Sequence, residues 1–147
     1  MNITFREPTT EDITACLSVM KGSYPLDTER YWDDYLIKDF TDVLSKEYPS
    51  AFLLALLDDS VIGFGCYVYF INLNVYRLSW INILPVHQKK GIGKLLVAEL
   101  EKLIMKENKK GFRIQLETDK PVFYKKLGYQ IVSTNGINYI MKKPFRD

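Results

Sequence analysis

Two rhythms of apolar and polar residues run through the chain, and the places where they change mark its elements. Ile3–Arg6 alternates weakly, as a short first strand does, and Pro8-Thr9-Thr10 reads as loop and cap. Thr10, Glu11 and Asp12 open a helix running to Met20, with acidic residues where the helix dipole favours negative charge. Between Glu29 and Glu47, the residues Tyr31, Trp32, Tyr35, Leu36, Phe40, Val43 and Leu44 fall at helical spacing, and Pro49 ends the run. Ala51–Leu57 and Val61–Ile71 flank Asp58-Asp59-Ser60, which predicts a hairpin of two mostly buried strands. A further strand spans about Tyr76 to Leu84 and stops at Pro85. Past a loop containing Gly91 and Gly93, apolar residues at 92, 95, 96, 100, 103 and 104 predict an amphipathic helix to about Glu107. Phe112–Glu117 alternates as a strand, and Pro121–Leu127 is a short helix closed by Gly128. Tyr129–Val132 and Ile137–Met141 pair around Asn135-Gly136. The order β-α-α-β-β-β-α-β-α-β-β describes an α/β (α+β) domain with a mostly antiparallel sheet and a parallel β-α-β unit at residues 76–117.

Composition narrows the class. With 147 residues, 47% of them apolar, the chain suits a single domain spanning 1–147 and argues against disorder. The longest apolar run, Ala51–Leu57, has 7 residues, far below the ~18–20 a membrane helix needs. The opening MNITFREPTT lacks the basic and apolar regions of a secretory signal, and two cysteines make no disulfide framework, so a cytoplasmic setting is expected. The single histidine, His87, excludes a two-His zinc site and a Cys2His2 finger, and no nucleophile elbow surrounds it. No metal is expected. Residues 1–74 hold 5 Lys/Arg against 12 Asp/Glu, and residues 75–147 hold 15 against 6. That split suggests an anionic ligand on the C-terminal half.

The segment Ile83-Leu84-Pro85-Val86-His87-Gln88-Lys89-Lys90-Gly91-Ile92-Gly93-Lys94 joins a strand end to a helix start through a glycine loop. Unpaired amides and the dipole at such a helix start attract anions, and the glycines let a phosphate approach the backbone. Lys89, Lys90 and Lys94 add charge for a polyphosphate. A Walker A loop fails, because Gln88 stands at its first glycine and Leu95 at its hydroxyl position. A dinucleotide fingerprint fails because Leu96 occupies its third glycine. Nucleic-acid binding is not expected, since the basic residues are scattered over several elements and the acidic half repels phosphate.

Gln88-Lys89-Lys90-Gly91-Ile92-Gly93 is similar to the [QR]-x-x-G-x-[GA] loop of the GNAT superfamily of N-acetyltransferases. Ile83-x-Pro85 resembles its V-x-P, and Phe123-Tyr124-Lys125-Lys126-Leu127-Gly128-Tyr129 its F-Y-x-K-x-G-[FY] motif. The opening Ile3-x-x-Arg6 with Glu11-Asp12-Ile13 also looks like the family's, and the element order agrees along essentially the whole chain. The resemblance implies a GNAT fold: six to seven strands, helices on both faces, and a fourth and fifth strand that splay apart. It implies acetyl-CoA as co-substrate, with its pyrophosphate on the amides of Lys89 to Lys94 and its arm between the splayed strands. A backbone N–H near Ile83 or Leu84 would then polarise the thioester carbonyl, and Tyr124 would protonate the departing sulfur as general acid. The residues implied to hold the co-substrate are thus Ile83, Leu84, Pro85, Gln88, Lys89, Lys90, Gly91, Ile92, Gly93, Lys94 and Tyr124.

A lysine-like amine titrates near ~10.4 and needs a proton acceptor before it attacks. Ser79 stands where some family members carry a glutamate, which leaves Glu117 at the end of the fifth strand as the candidate base. Glu117 and Lys120 also replace the N-x-x-A that the family often has before its F-Y pair, which puts the local contacts to the CoA arm in question. The first helices usually form the family's acceptor site. Here they carry Tyr24, Tyr31, Trp32 and Tyr35 with Asp27, Glu29, Asp33 and Asp34, a set suited to a cationic amine. The expected activity is acetyl transfer to a primary amine by direct attack in a ternary complex, the acceptor being a small cationic amine or a peptide or protein amine. The alternative is an acyl-CoA-binding sensor or interaction module, and either a monomer or a homodimer fits.

Overall fold

Strand β2, Ser50–Leu57, shows why this chain builds on both sides of a sheet. Ala51, Leu53 and Ala55 join one core while Phe52, Leu54 and Leu56 join another. Successive side chains of a strand point to opposite faces, so a strand apolar on both must be covered on both. The computed structural model describes residues 2–23, 30–45 and 50–144, and of residues 30–32 the backbone alone. Within it, β1 (Ile3–Arg6), β2, β3 (Ser60–Phe70), β4 (Val75–Ile83), β5 (Arg113–Thr118), β6 (Gln130–Thr134) and β7 (Tyr139–Pro144) form one sheet. Their spatial order is β1-β2-β3-β4-β5-β7-β6. Only β4 and β5 run parallel.

Helices α1 (Ile13–Ser23) and α2 (Arg30–Leu44) cover one face, burying Cys16, Val19 and Met20 with Leu36, Phe40 and Val43. The helices α3 (Ile92–Lys106) and α4 (Pro121–Lys125) cover the other, and α3 buries Ile92, Leu96, Val97, Leu100 and Ile104. The expected apolar stripe of α3 is off by one position, for Leu95 is exposed and Val97 buried. Helix α1 starts one turn later than expected, after a 3-10 turn at Thr10–Asp12. There the Thr9 N–H donates to Asp12 Oδ2 at 2.7 Å and Arg6 Nη1 to the same oxygen at 2.9 Å. These bonds, the Arg6 one foremost, hold the Asp12 carboxyl below its usual range.

The hairpin turn at Asp58-Asp59 has both residues left-handed, φ 47° and 69°, the geometry of a two-residue type I′ loop. A side chain in that region is costly where glycine is not. Asp59→Gly is expected to raise stability by about 0.5–1 kcal/mol, read as a higher urea midpoint at unchanged slope. A second feature ties α3 to the sheet. Tyr67 and Tyr76 each donate a 2.6 Å hydrogen bond to one oxygen of Glu107, which caps α3. Burial first, then the Glu107 carboxylate, pushes both phenols up. Glu107→Ala strands two buried hydroxyls and is expected to cost about 2–4 kcal/mol, measurable as a fall in melting temperature at pH 7.

The feature that positions the site is how briefly β4 and β5 meet. They pair only at Val75↔Arg113, Tyr76↔Ile114 and Arg77↔Gln115. Beyond that, β4 stays with β3 as far as Ile83↔Gly63, while β5 stays with β7 as far as Thr118↔Tyr139. The two strands therefore separate toward their C-terminal ends, as the resemblance implied.

Candidate active site

The far end of β4 is irregular. Between Phe64↔Asn82 and Cys66↔Ser79, two β4 residues, Trp80 and Ile81, stand opposite Gly65 alone. Trp80 adopts φ 56°, the mark of a β-bulge, and its Nε1 donates to Asp39 Oδ2 on α2 at 2.8 Å. A Cβ on Gly63 would sit 2.7 Å from the Asn82 carbonyl oxygen, and one on Gly65 2.7 Å from Ile81 Cδ1, so β3 needs both glycines beside the bulge.

After the bulge the strand's polar groups take a definite direction. The Leu84 N–H donates to Ile62 O of β3 at 2.9 Å. In an antiparallel pair one residue's N–H and C=O face the partner and the next residue's face away. Those of Ile83 therefore face the gap left by β5. Its carbonyl accepts from Gln88 Nε2 at 2.8 Å and Ser23 Oγ at 3.1 Å. Of the two amides considered for a thioester carbonyl, Leu84's is engaged in the sheet and Ile83's opens onto the gap. The Gln88 side chain is used to tie the loop back to β4.

The loop runs through a 3-10 turn at Pro85–His87 and reaches Gly91, the N-cap of α3, at φ 82°. Lys89 is also left-handed, φ 61°. Lys89, Lys90 and Lys94 are exposed, and Ile92 is buried, so its backbone alone is available to a ligand. Gly93 faces α4: a Cβ there would lie 3.3 Å from Phe123 Cζ and 3.9 Å from Ile83 Cγ1. Three segments distant in sequence, the end of β4, the glycine loop and the Phe123-Tyr124 pair, thus meet at one point.

Tyr124 is 7% exposed. Its ring packs edge-on against Phe123 at 4.9 Å and Tyr129 at 5.9 Å. Pro121 starts its helix, and the Tyr124 carbonyl accepts the Leu127 and Tyr129 N–H groups where Gly128, φ 96°, turns the chain. Tyr129 in turn donates to Glu101 Oε2 at 2.6 Å, and Lys143 Nζ to the Leu127 carbonyl at 2.8 Å, anchoring this turn to α3 and β7.

Glu117 is exposed on β5, opposite Ile140, and accepts from Asn138 Nδ2 at 3.4 Å. Lys120 sits before α4, its N–H on Thr118 Oγ1. Tyr35 is 57% exposed on α2. Tyr24, Asp27 and Glu29 lie outside the described residues, as do the side chains of Tyr31 and Trp32. Asp33 pairs with Lys21 Nζ at 3.3 Å, drawing the start of α2 to the end of α1.

A model of the Acetyltransferase (GNAT) domain matches residues 49–131, more than half of the chain. The chain belongs to the GNAT acetyltransferase family. A curated relative, the spermidine N(1)-acetyltransferase of Thermoplasma acidophilum, is 26% identical over 161 aligned positions covering 99% of each chain. The crystal structure of the PaiA N-acetyltransferase from T. acidophilum in complex with coenzyme A superposes with a TM-score of 0.80, at 24% identity, over 99% of this chain and 100% of that one. The ribosomal-protein-S18-alanine N-acetyltransferase of Escherichia coli shares the fold at TM-score 0.77 and 17% identity, covering 99% and 96%.

In this GNAT acetyltransferase the cysteines are poor nucleophiles. Cys16 and Cys66 are buried, and burial pushes both thiols up to about 12. Among the described residues, no group of three His, Cys, Asp or Glu is arranged to hold a metal ion, and no helix is long and apolar enough to cross a membrane. Sequence reasoning passed over Trp80, Asp39 and Asn82. The available signal was slight: Asn82 interrupts the apolar end of VYRLSWINI.

Proposed function

We infer that this GNAT enzyme moves the acetyl group of acetyl-CoA to the primary amine of a small cationic acceptor, by direct attack in a ternary complex. The observation that carries the reading is the meeting of Gly93, Phe123 and Ile83 at the mouth of the β4–β5 gap. A pyrophosphate on the amides of Lys89 to Lys94 puts the arm of the co-substrate at that gap. The Ile83 N–H then faces the thioester carbonyl, where it stabilises the oxyanion. Tyr124, on the helix that carries Phe123, protonates the thiolate, a modest task because thiols titrate near ~8.5. Direct attack is favoured over an acyl-cysteine intermediate because both thiols stay protonated and covered.

Two things support a cationic acceptor. One is the end-to-end similarity to a spermidine acetyltransferase. The other is the acidic character of α2, with Asp33, Asp34, Asp39 and Asp42. Glu117 is exposed and serves better as a surface charge for the acceptor than as a buried base.

The test is release of free thiol from acetyl-CoA in the presence of spermidine, putrescine and a lysine-containing peptide. Turnover with the polyamines at least tenfold above the peptide, in kcat/KM, is expected. Turnover with the peptide alone moves the acceptor to protein amines. Tight acetyl-CoA binding with no turnover on any amine makes the chain a binding module.

A further inference from the structure

Tyrosines and cysteines aside, Asn82 is the sole polar or charged residue buried among the described residues, at 5% exposure. Its Nδ2 donates to the Trp80 carbonyl at 3.0 Å, across the bulge. Its Oδ1 is buried with no hydrogen-bond partner. Such an oxygen costs about 1–3 kcal/mol unless something donates to it, and native interiors leave few in that state.

Its location says what the donor is. Ile81 and Ile83 pack into the α3-side core, whereas Trp80 packs into the α1–α2 side. By alternation Asn82 shares the α1–α2 face, next to the residue whose N–H opens onto the β4–β5 gap. The last turn of α1 lies over this end of β4: Ser23 Oγ bonds the Ile83 carbonyl, and a Cβ on Gly22 would meet Leu84 at 2.9 Å. On the opposite face, Gly93 and Phe123 close against Ile83. With the co-substrate's pyrophosphate held at the start of α3, the α1–α2 face that carries Asn82 is the opposite side of β4, from which the amine reaches the carbonyl carbon.

We propose that Asn82 Oδ1 is a hydrogen-bond acceptor for the attacking amine, orienting its lone pair toward the thioester carbon. This rests on the amine acetylation inferred above. Asn82 is neutral and takes no proton. In the step, the nitrogen forms its bond to the carbonyl carbon while the C–S bond breaks. Asn82 holds one N–H, the surplus proton of the nitrogen passes to water, and the sulfur takes a proton from Tyr124. A neutral acceptor suits this task, because a carboxylate in its place would retain the ammonium form that cannot attack.

The experiment compares Asn82→Leu with Asn82→Asp, using spermidine as the probe amine. Both variants lose the donor to Trp80, and only Asn82→Asp keeps an acceptor oxygen, so their difference isolates the acceptor. Asn82→Leu is expected to lower kcat/KM for spermidine about 10–100-fold, with the KM for acetyl-CoA within twofold. Asn82→Asp is expected to keep the spermidine KM within threefold and to move the rising limb of kcat against pH to higher pH. Equal kcat/KM in wild type and Asn82→Leu overturns the assignment. So does a parallel loss in both variants with a lower melting temperature and no change in the pH profile, which is the signature of a packing role. Should the wild type acetylate neither spermidine nor any other amine, the functional reading itself fails and takes this assignment with it.

Discussion

Replacing Tyr124 by Phe is expected to lower kcat by about 10²–10⁴ while leaving acetyl-CoA affinity within about threefold, the range that loss of a positioned acid spans. The substitution is informative because it spares the packing. Tyr124 meets Phe123 and Tyr129 through its ring edge and face, contacts that Phe reproduces, and its backbone still closes the turn to Tyr129. A melting temperature within a few degrees of wild type is therefore expected, and thiol-release kinetics with isothermal titration separate rate from binding. Loss of less than tenfold in kcat would pass the acid role to water. Loss of acetyl-CoA binding would instead make Tyr124 part of the binding wall.

The second large effect concerns the loop. The double substitution Gly91→Val and Gly93→Val is expected to weaken acetyl-CoA binding at least about 100-fold, the equivalent of two charge-assisted hydrogen bonds from the helix start. The two glycines act for different reasons. Gly91 has open space around it but sits at φ 82°, a conformation that a β-branched residue strongly resists. Gly93 is not left-handed, yet its face lies 3.3 Å from the Phe123 ring once a Cβ is present. Valine there pushes α4 away from α3 and with it Tyr124. Gly91→Ala alone should consequently affect binding, and Gly93→Ala alone should affect kcat as well. Unchanged titrations for the double variant, with its circular dichroism intact, would place the co-substrate elsewhere on the protein.

The elements were legible because their signals are local. Leu36, Phe40 and Val43 are one helix face by spacing alone, and they are buried. Ala51–Leu57 has no polar residue to turn outward, so it had to lie between two layers. Where a single residue of phase mattered, the pattern was not enough. Leu95 and Val97 exchange the roles their neighbours suggest, since the side of α3 facing α4 is set by packing rather than by α3's own sequence. Likewise Ile83 and Leu84 are both apolar residues at a strand end, and nothing in their chemistry says which amide is free. The bulge at Trp80 and the pairing of Leu84 with Ile62 decide it.

By itself the sequence determined the element order, the glycine loop at a helix start, the family motif around Phe123-Tyr124 and the acidic first half, because each is written in neighbouring residues. The tertiary structure decided that β7 rather than β6 lies against β5, that β4 and β5 part after three pairs, and that Gly93, Phe123 and Ile83 converge. It also decided that Asn82, one asparagine among seven in a string of letters, is buried with an oxygen to offer. Burial and hydrogen-bond direction are properties of what other segments place around a residue, and no local pattern contains them.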